Sequence, residues 1–180
     1  QLERENNVDT NKTIVYTYDG YGNIESKAEY AYTLSAEPDT AVDVISYSYD
    51  SDWKDKLASY DGQSITYDDI GNPTNYMGAE MTWFARQMMS YSKNGTDITY
   101  KYDNDGLRAE KTVNGVKHEY YYVDGLLKTE KIGDDYEMYY RYDTNGVLAS
   151  VTRYTVSTDA SSILYAQTNT RGDVISLYDG

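Results

Sequence analysis

The chain has 180 residues, 16 Lys and Arg against 30 Asp and Glu, a formal net charge of −14 and a pI near 4.3. That charge opposes nucleic-acid phosphates and anionic membranes, and no basic patch interrupts it. The lack of cysteine excludes disulfides, thiolate nucleophiles and Cys-ligated metals, and no apolar run approaches the roughly 18 residues that span a bilayer.

Scarce Leu, Ile, Val and Phe beside a high net charge is a signature of disorder. The 23 Tyr, 2 Trp and 5 Met point the other way. A buried aromatic side chain removes roughly 150–250 Å² from water, and tyrosine favours strands. The composition describes an ordered β protein whose core is built from tyrosine.

Taken in chain order, Ile14, Tyr16 and Tyr18 alternate with polar residues, the period of a half-buried strand. Asp19 opens a turn by accepting backbone N–H groups two residues on, and Gly22 closes it at positive φ. The stretch 33–42, containing SAEPDTA, reads as an insertion loop. Ile45, Tyr47 and Tyr49 repeat the strand, Asp50 repeats the turn signal, and Trp53–Leu57 has the length of one helical turn. Tyr67, Asp68 and Gly71 repeat it again, and MTWFARQM (Met81–Met88) puts Trp83 where tyrosine stands elsewhere. Asn94-Gly95 and Asn114-Gly115 are strong two-residue hairpin signals. Between them lie Ile98, Tyr100 and Tyr102, the turn from Asp103 to Gly106, and a return strand over 107–113. Val116, His118, Tyr120 and Tyr122 then lead to Asp124-Gly125, and Met138, Tyr140 and Tyr142 to Asp143 and Gly146. After a return strand at 147–154 comes a second insertion loop near 155–162, and a last hairpin joins 165–168 to 174–178 through Gly172.

The Tyr-x-Tyr-Asp and Tyr-Asp-x-x-Gly motifs recur about every 20 residues, so one repeat is two strands and two turns. The fold expected is all-β: one domain over 1–180, an antiparallel hairpin meander of about fourteen to sixteen strands in a curved open sheet.

Individual site candidates do not survive inspection. Arg171-Gly172-Asp173 spells an integrin-binding tripeptide but reads as a hairpin turn. Asp103-Asn104-Asp105-Gly106 resembles a calcium loop, yet Lys101 and Thr112 fall where an EF-hand needs acids. His118 is the single histidine and shares the register of the inward-facing Ile and Tyr; without a second His or a Cys it makes no transition-metal site. No Ser-containing elbow is present for a triad. Tyrosine-rich tracts also bind carbohydrate by stacking, but the Gly-Trp and Tyr-Tyr signatures with flanking Gly of glucan-binding repeats are not reproduced. No catalytic, cofactor or metal residue is assigned, and the expected chain is not an enzyme.

These motifs resemble the Tyr-Asp (YD) repeats of the rearrangement-hotspot (RHS) family, which includes bacterial polymorphic toxins, wall-associated proteins, the C subunits of insecticidal toxin complexes and the teneurins. The resemblance covers roughly 13–180 and is strongest in YDSDWKDKLASYDGQSITYDDIGNPTNY (Tyr49–Tyr76), MTWFARQM and YAQTNTRGDVISLYDG (Tyr165–Gly180), which look like the last repeats of a Firmicutes core. It implies a β-strip that spirals into a hollow shell, in bacterial members around a C-terminal toxic polypeptide, in a secreted or cell-surface protein. The Asp-Pro-x-Gly segment that follows the repeats in those members has no counterpart, since no Asp-Pro occurs. Neither the self-cleaving protease nor the toxin is therefore expected within the chain. A start at Gln1, without Met or signal peptide, leads to the expectation of a piece of a longer protein. The partners implied are the remaining repeats and a covalently linked cargo, with self-association through strand edges and neither nucleic acid nor membrane insertion. The alternative function is a surface module that binds wall glycan or a host protein.

Overall fold

Short alternating segments cut by Gly, Asn and Asp leave the backbone little choice but hairpins. The computed structural model, which describes residues 1–35, 38 and 40–179, has eighteen strands. They fall into two units, Gln1–Met81 and Thr82–Gly180.

In the first unit β1 (Arg4–Asn7), β2 (Lys12–Tyr18), β3 (Ile24–Ala31), β4 (Asp43–Tyr49), β5 (Leu57–Tyr60) and β6 (Gln63–Ser64) form a sheet in chain order. The hairpins of β7 (Thr66–Tyr67), β8 (Pro73–Tyr76) and β9 (Ala79–Phe84) follow, and β9 carries the chain into the second unit. There β10 (Gln87–Lys93), β11 (Thr96–Tyr102), β12 (Arg108–Val113), β13 (Val116–Val123), β14 (Leu126–Ile132), β15 (Tyr136–Tyr142), β16 (Leu148–Thr155), β17 (Ala160–Thr168) and β18 (Val174–Asp179) each pair antiparallel with the next. The all-β hairpin meander is thus the observed fold.

Little apolar surface is fully removed from water. Among the described residues Ala28, Ile65, Ala79, Met81 and Val151 are the buried hydrophobics, while the repeat tyrosines are half-buried. The tyrosine-built core is therefore a layer of partly covered rings resting on a hydrogen-bonded sheet. Among the described residues the largest fully buried side chain is that of Thr13, whose hydroxyl donates toward Asn6 Oδ1 or Thr33 O and accepts from Thr33 N–H at 3.0 Å.

Two local expectations change. The segment 155–162 is not an open loop: a 3-10 turn at Val156–Thr158 and Asp159 at φ 52° reverse the chain, and Thr155 already pairs with Ala160. The Ser-Ser-Ile run after Ala160 has strand-forming partners in β16, so the connection stays tight. Trp53–Leu57 is a turn closed by Lys56 N–H to Trp53 O at 2.9 Å rather than a helix, because Asp50 Oδ1 captures the Asp52 and Trp53 N–H groups. In the loop at 33–42, Ala36, Glu37 and Asp39 lie outside the described residues; on its near side the Arg4 guanidinium donates to Thr33 O and Ser35 O, each at 2.6 Å.

Turns at Gly22, Gly71, Gly95, Gly106, Gly115, Gly125, Gly146 and Gly172 all have positive φ. Further ones at Asp61-Gly62, Met77-Gly78 and Ala85 (φ 51°) went unread, the last because alanine carries no turn signal. At Gly172, φ is +87° and an added Cβ would also meet Val147 Cγ2 at 3.6 Å. Gly172→Val is expected to lower stability by roughly 1–2 kcal/mol in denaturant unfolding, whereas Arg171→Ala, at an exposed side chain, leaves the midpoint unchanged.

Candidate functional site

The repeat itself is the site. In β11, Ile98, Tyr100 and Tyr102 are half-buried, whereas Asp97, Thr99 and Lys101 are exposed, so the two tyrosines share the more covered face. The same alternation puts Tyr47 beside Tyr49 and Tyr140 beside Tyr142. Tyr16 and Tyr18 are also half-buried.

The second tyrosine of each pair does something that its spacing did not disclose. Tyr102 OH donates to Met88 O at 2.9 Å, Tyr122 OH to Arg108 O at 3.0 Å and Tyr142 OH to Leu127 O at 2.8 Å. In the first unit Tyr18 OH reaches Leu2 O at 2.5 Å, Tyr49 OH Ile24 O at 2.9 Å and Tyr67 OH Leu57 O at 2.7 Å. The register explains all six. The ladder to the preceding strand stops three residues before the tyrosine, for instance at Ser90↔Thr99 and Glu110↔Glu119. Carried on unbroken, it would pair each tyrosine with the residue just before the accepting carbonyl. On its other side every one of these tyrosines sits at a register shift, as at Lys101/Tyr102 and Arg141/Tyr142. The phenol therefore spans a place where pairing with the preceding strand has ended and pairing with the following strand is bulged, and it satisfies a carbonyl that the ladder has left.

The following Asp makes the turn. Asp143 N–H donates to Val147 O at 2.8 Å, and Asp143 Oδ1 accepts from Asn145 N–H at 2.8 Å and Val147 N–H at 2.9 Å. Asp19, Asp68 and Asp103 repeat this geometry, with Asn23 and Asn72 side chains bonded to the second carboxylate oxygens of Asp19 and Asp68. Those asparagines were missed, although both directly follow the turn Gly. Asn169 does the same work in the last repeat, accepting from Arg171 and Asp173 N–H groups, which makes Arg171-Gly172-Asp173 the body of a turn. Three anchors depart from the pattern. Asp50 closes a longer turn, its N–H donating to Lys56 O at 2.8 Å. Asp124 (φ 51°) and Gly125 (φ 75°) form a two-residue hairpin turn instead, and Trp83 has no hydroxyl to span the gap.

Basic side chains lie over several of the rings: Lys56 Nζ is 4.9 Å from the Tyr67 centroid, Arg108 Cζ 4.7 Å from Tyr100 and Lys128 Nζ 4.8 Å from Tyr142. His118 joins a cluster that sequence reading did not see. Its Nδ1 lies 2.7 Å from Glu130 Oε1, while Tyr140 OH donates to Glu130 Oε2 at 2.8 Å. Burial, and then Glu130, push the Tyr120 hydroxyl up to about 12 and the Tyr140 hydroxyl higher still. Glu130 stands opposite Tyr120 in β13 and opposite Met138 in β15, so the cluster stitches three strands. Among the described residues no group of three or more His, Cys, Asp or Glu is placed to hold a metal, and no helix is long and apolar enough to cross a membrane.

No family model matches the chain. It is 31% identical, over 99% of its length, to the tRNA3(Ser)-specific nuclease WapA of Bacillus spizizenii, and 34% identical, over 68%, to the tRNA nuclease WapA of Bacillus subtilis. The chain spans only 7% and 5% of those proteins. Its fold is shared with the crystal structure of TcdB2-TccC3-TEV, at a TM-score of 0.59 and 15% identity over 89% of this chain and 10% of that one. Together these likenesses support a relationship to RHS-type proteins.

Tyr142→Phe is expected to cost about 0.5–1.5 kcal/mol in denaturant unfolding, the net worth of one hydrogen bond, while Tyr121→Phe, on the exposed face, costs nothing measurable. The backbone N–H groups of Val147 and Asn145 hold the Asp143 carboxyl below its ordinary 3.8. The stabilisation is therefore present above pH 3.8 and lost as pH falls through the lower folded-state value. Asp143→Asn, which copies Asn169, flattens that acid limb. For Tyr120 the shift is upward, from 10.0 to about 12, so its contribution is full below pH 10 and disappears as pH rises toward 12. Tyr120→Phe removes that alkaline loss, read by circular dichroism against pH.

Proposed function

We propose that the chain is a non-enzymatic structural segment of an RHS-type shell, part of the last repeats of a bacterial core that encloses a C-terminal toxin or effector. The observation that carries this reading is the seam of tyrosine hydroxyls. The same donor meets the same register position in six places, and none of them faces a reactive group. Such repetition suits a wall, whose task is to continue, better than a pocket, whose task is to be singular. The nuclease names of its relatives belong to proteins more than ten times longer than the matched region. In this reading their chemistry resides outside that region, and the parent protein is secreted or displayed at the cell surface.

The partners are then the neighbouring repeats of the same wall and a covalently attached cargo. Strand edges left open in the isolated chain pair with a second copy, and the net charge of −14 favours discrete dimers over fibres. Two measurements test the reading. The purified chain leaves tRNA intact, and cleavage abolished by His118→Ala or Glu130→Ala would refute the non-enzymatic assignment. In the parent polypeptide, deleting one hairpin repeat exposes the cargo to protease; a cargo equally resistant with and without the repeat would mean that these strands enclose nothing.

A further inference from the structure

One turn of the first unit is longer than the others, and its extra length makes a groove. The turns opened by Asp19, Asp68, Asp103 and Asp143 close on the residue four places on, whereas the Asp50 turn closes only at Lys56. The added residues bring Lys54 back over the neighbouring turn, where its carbonyl accepts from Asn23 Nδ2 at 3.1 Å. Its ammonium then lies 5.7 Å from the centroid of the Tyr21 ring. Between the two turns is a groove of about 310 Å³, lined by Asp19, Tyr21, Glu25, Asp50 and Lys54 and floored by the end of β4. Tyr21 is 68% exposed. Neither its hydroxyl, nor the Glu25 carboxylate, nor the Lys54 ammonium has a hydrogen-bond or ion-pair partner among the described residues.

We propose that this groove binds a linear diamine or polyamine, with one primary ammonium replacing that of Lys54 on the Tyr21 ring and a second meeting Glu25. The molecule's own ammonium supplies the first argument. A cation that no carboxylate holds rests on an exposed ring within the roughly 6 Å of a cation–π contact, so the groove already accepts an alkylammonium. Charge supplies the second. Three carboxylates line the groove against one ammonium, so a dication balances it better than the monocation it displaces. A net charge of −14 also concentrates cations at the surface instead of repelling them. Coordination chemistry supplies the third. Asp19 Oδ1 and Asp50 Oδ1 each accept two backbone N–H groups of their own turns. Too few oxygens remain for the roughly six to eight that calcium takes, whereas an ammonium has only three donors to satisfy. The inference does not depend on the shell reading, since it concerns one groove of the first unit alone.

The test is calorimetric titration of the 180-residue chain with putrescine at physiological salt. Saturable binding to one site is expected. Tyr21→Ala weakens it by about threefold or more, while Tyr21→Phe, which keeps the ring, retains it. Glu25→Gln weakens it by about two- to fivefold. Lys54→Gln removes the built-in competitor and strengthens it by about two- to fivefold. Arg141→Gln, in the second unit, changes the net charge by the same amount and leaves the affinity unaltered. The side chains of Tyr21, Glu25, Lys54 and Arg141 are all exposed, so each variant folds, which circular dichroism checks. Absence of binding, or binding indifferent to Tyr21→Ala, overturns the proposal. Equal strengthening by Lys54→Gln and Arg141→Gln overturns it as well, because the diamine is then a diffuse counterion of an acidic chain.

Discussion

Everything in this molecule depends on a phenol reaching across a break. At six repeats the antiparallel ladder stops short on one side of a tyrosine and slips register on the other, and a hydroxyl-to-carbonyl bond bridges the interval. Such a bond is worth only about 1 kcal/mol net, but an orphaned carbonyl in a half-covered position costs more than that. The tyrosine thus lets the sheet tolerate a bulge in each of these repeats without leaving that carbonyl unanswered. Phenylalanine would cover the same area and fail at this task, which is a physical reason for tyrosine at positions 18, 49, 67, 102, 122 and 142.

A second consequence concerns how the sheet stays together with so few buried hydrophobics. The rings are only half covered, so burial alone contributes less than their number suggests. Cations over Tyr67, Tyr100 and Tyr142, the Glu130 cluster and the cross-strand hydroxyl pairs supply local bonds in its place. Hydroxyl pairs such as Thr17–Ser26 and Ser48–Ser59 dominate the opposite face in the first unit, whereas an ion pair fills the equivalent place at Lys101–Glu110 in the second. The repeat keeps the geometry and varies the chemistry.

Much of this was legible in advance. Alternation around Tyr100 and Tyr102 specified strands and face, and Asn-Gly and Asp-x-x-Gly specified most of the turns, because period and turn chemistry are local properties. The hydroxyl bonds were not legible, since they link residues whose relation depends on where a ladder ends. Glu130 was hidden for a similar reason: it lies on a return strand without a motif, and only register puts it between His118, Tyr120 and Tyr140. Ala85 and the tight turn at Val156–Thr158 escaped because their residues advertise nothing. The groove beside Lys54 likewise exists only once two neighbouring turns are aligned.

The last repeat separates two roles that the Tyr-Asp dipeptide elsewhere combines. There Thr168 and Asn169 stand in the dipeptide's place; Asn169 still folds the turn, but Thr168 is too short to reach across to β16. The ladder between β16 and β17 ends at Ser150↔Tyr165, again three residues early, with no phenol to bridge the gap. Turn-making and gap-spanning are therefore separable functions. Here β17 is held to β16 by the ladder from Ser150↔Tyr165 to Thr155↔Ala160 without a phenol beyond it. Amide hydrogens between Tyr165 and Thr168, past the end of that ladder, exchange faster than those at the matching positions of repeats whose phenol spans the gap.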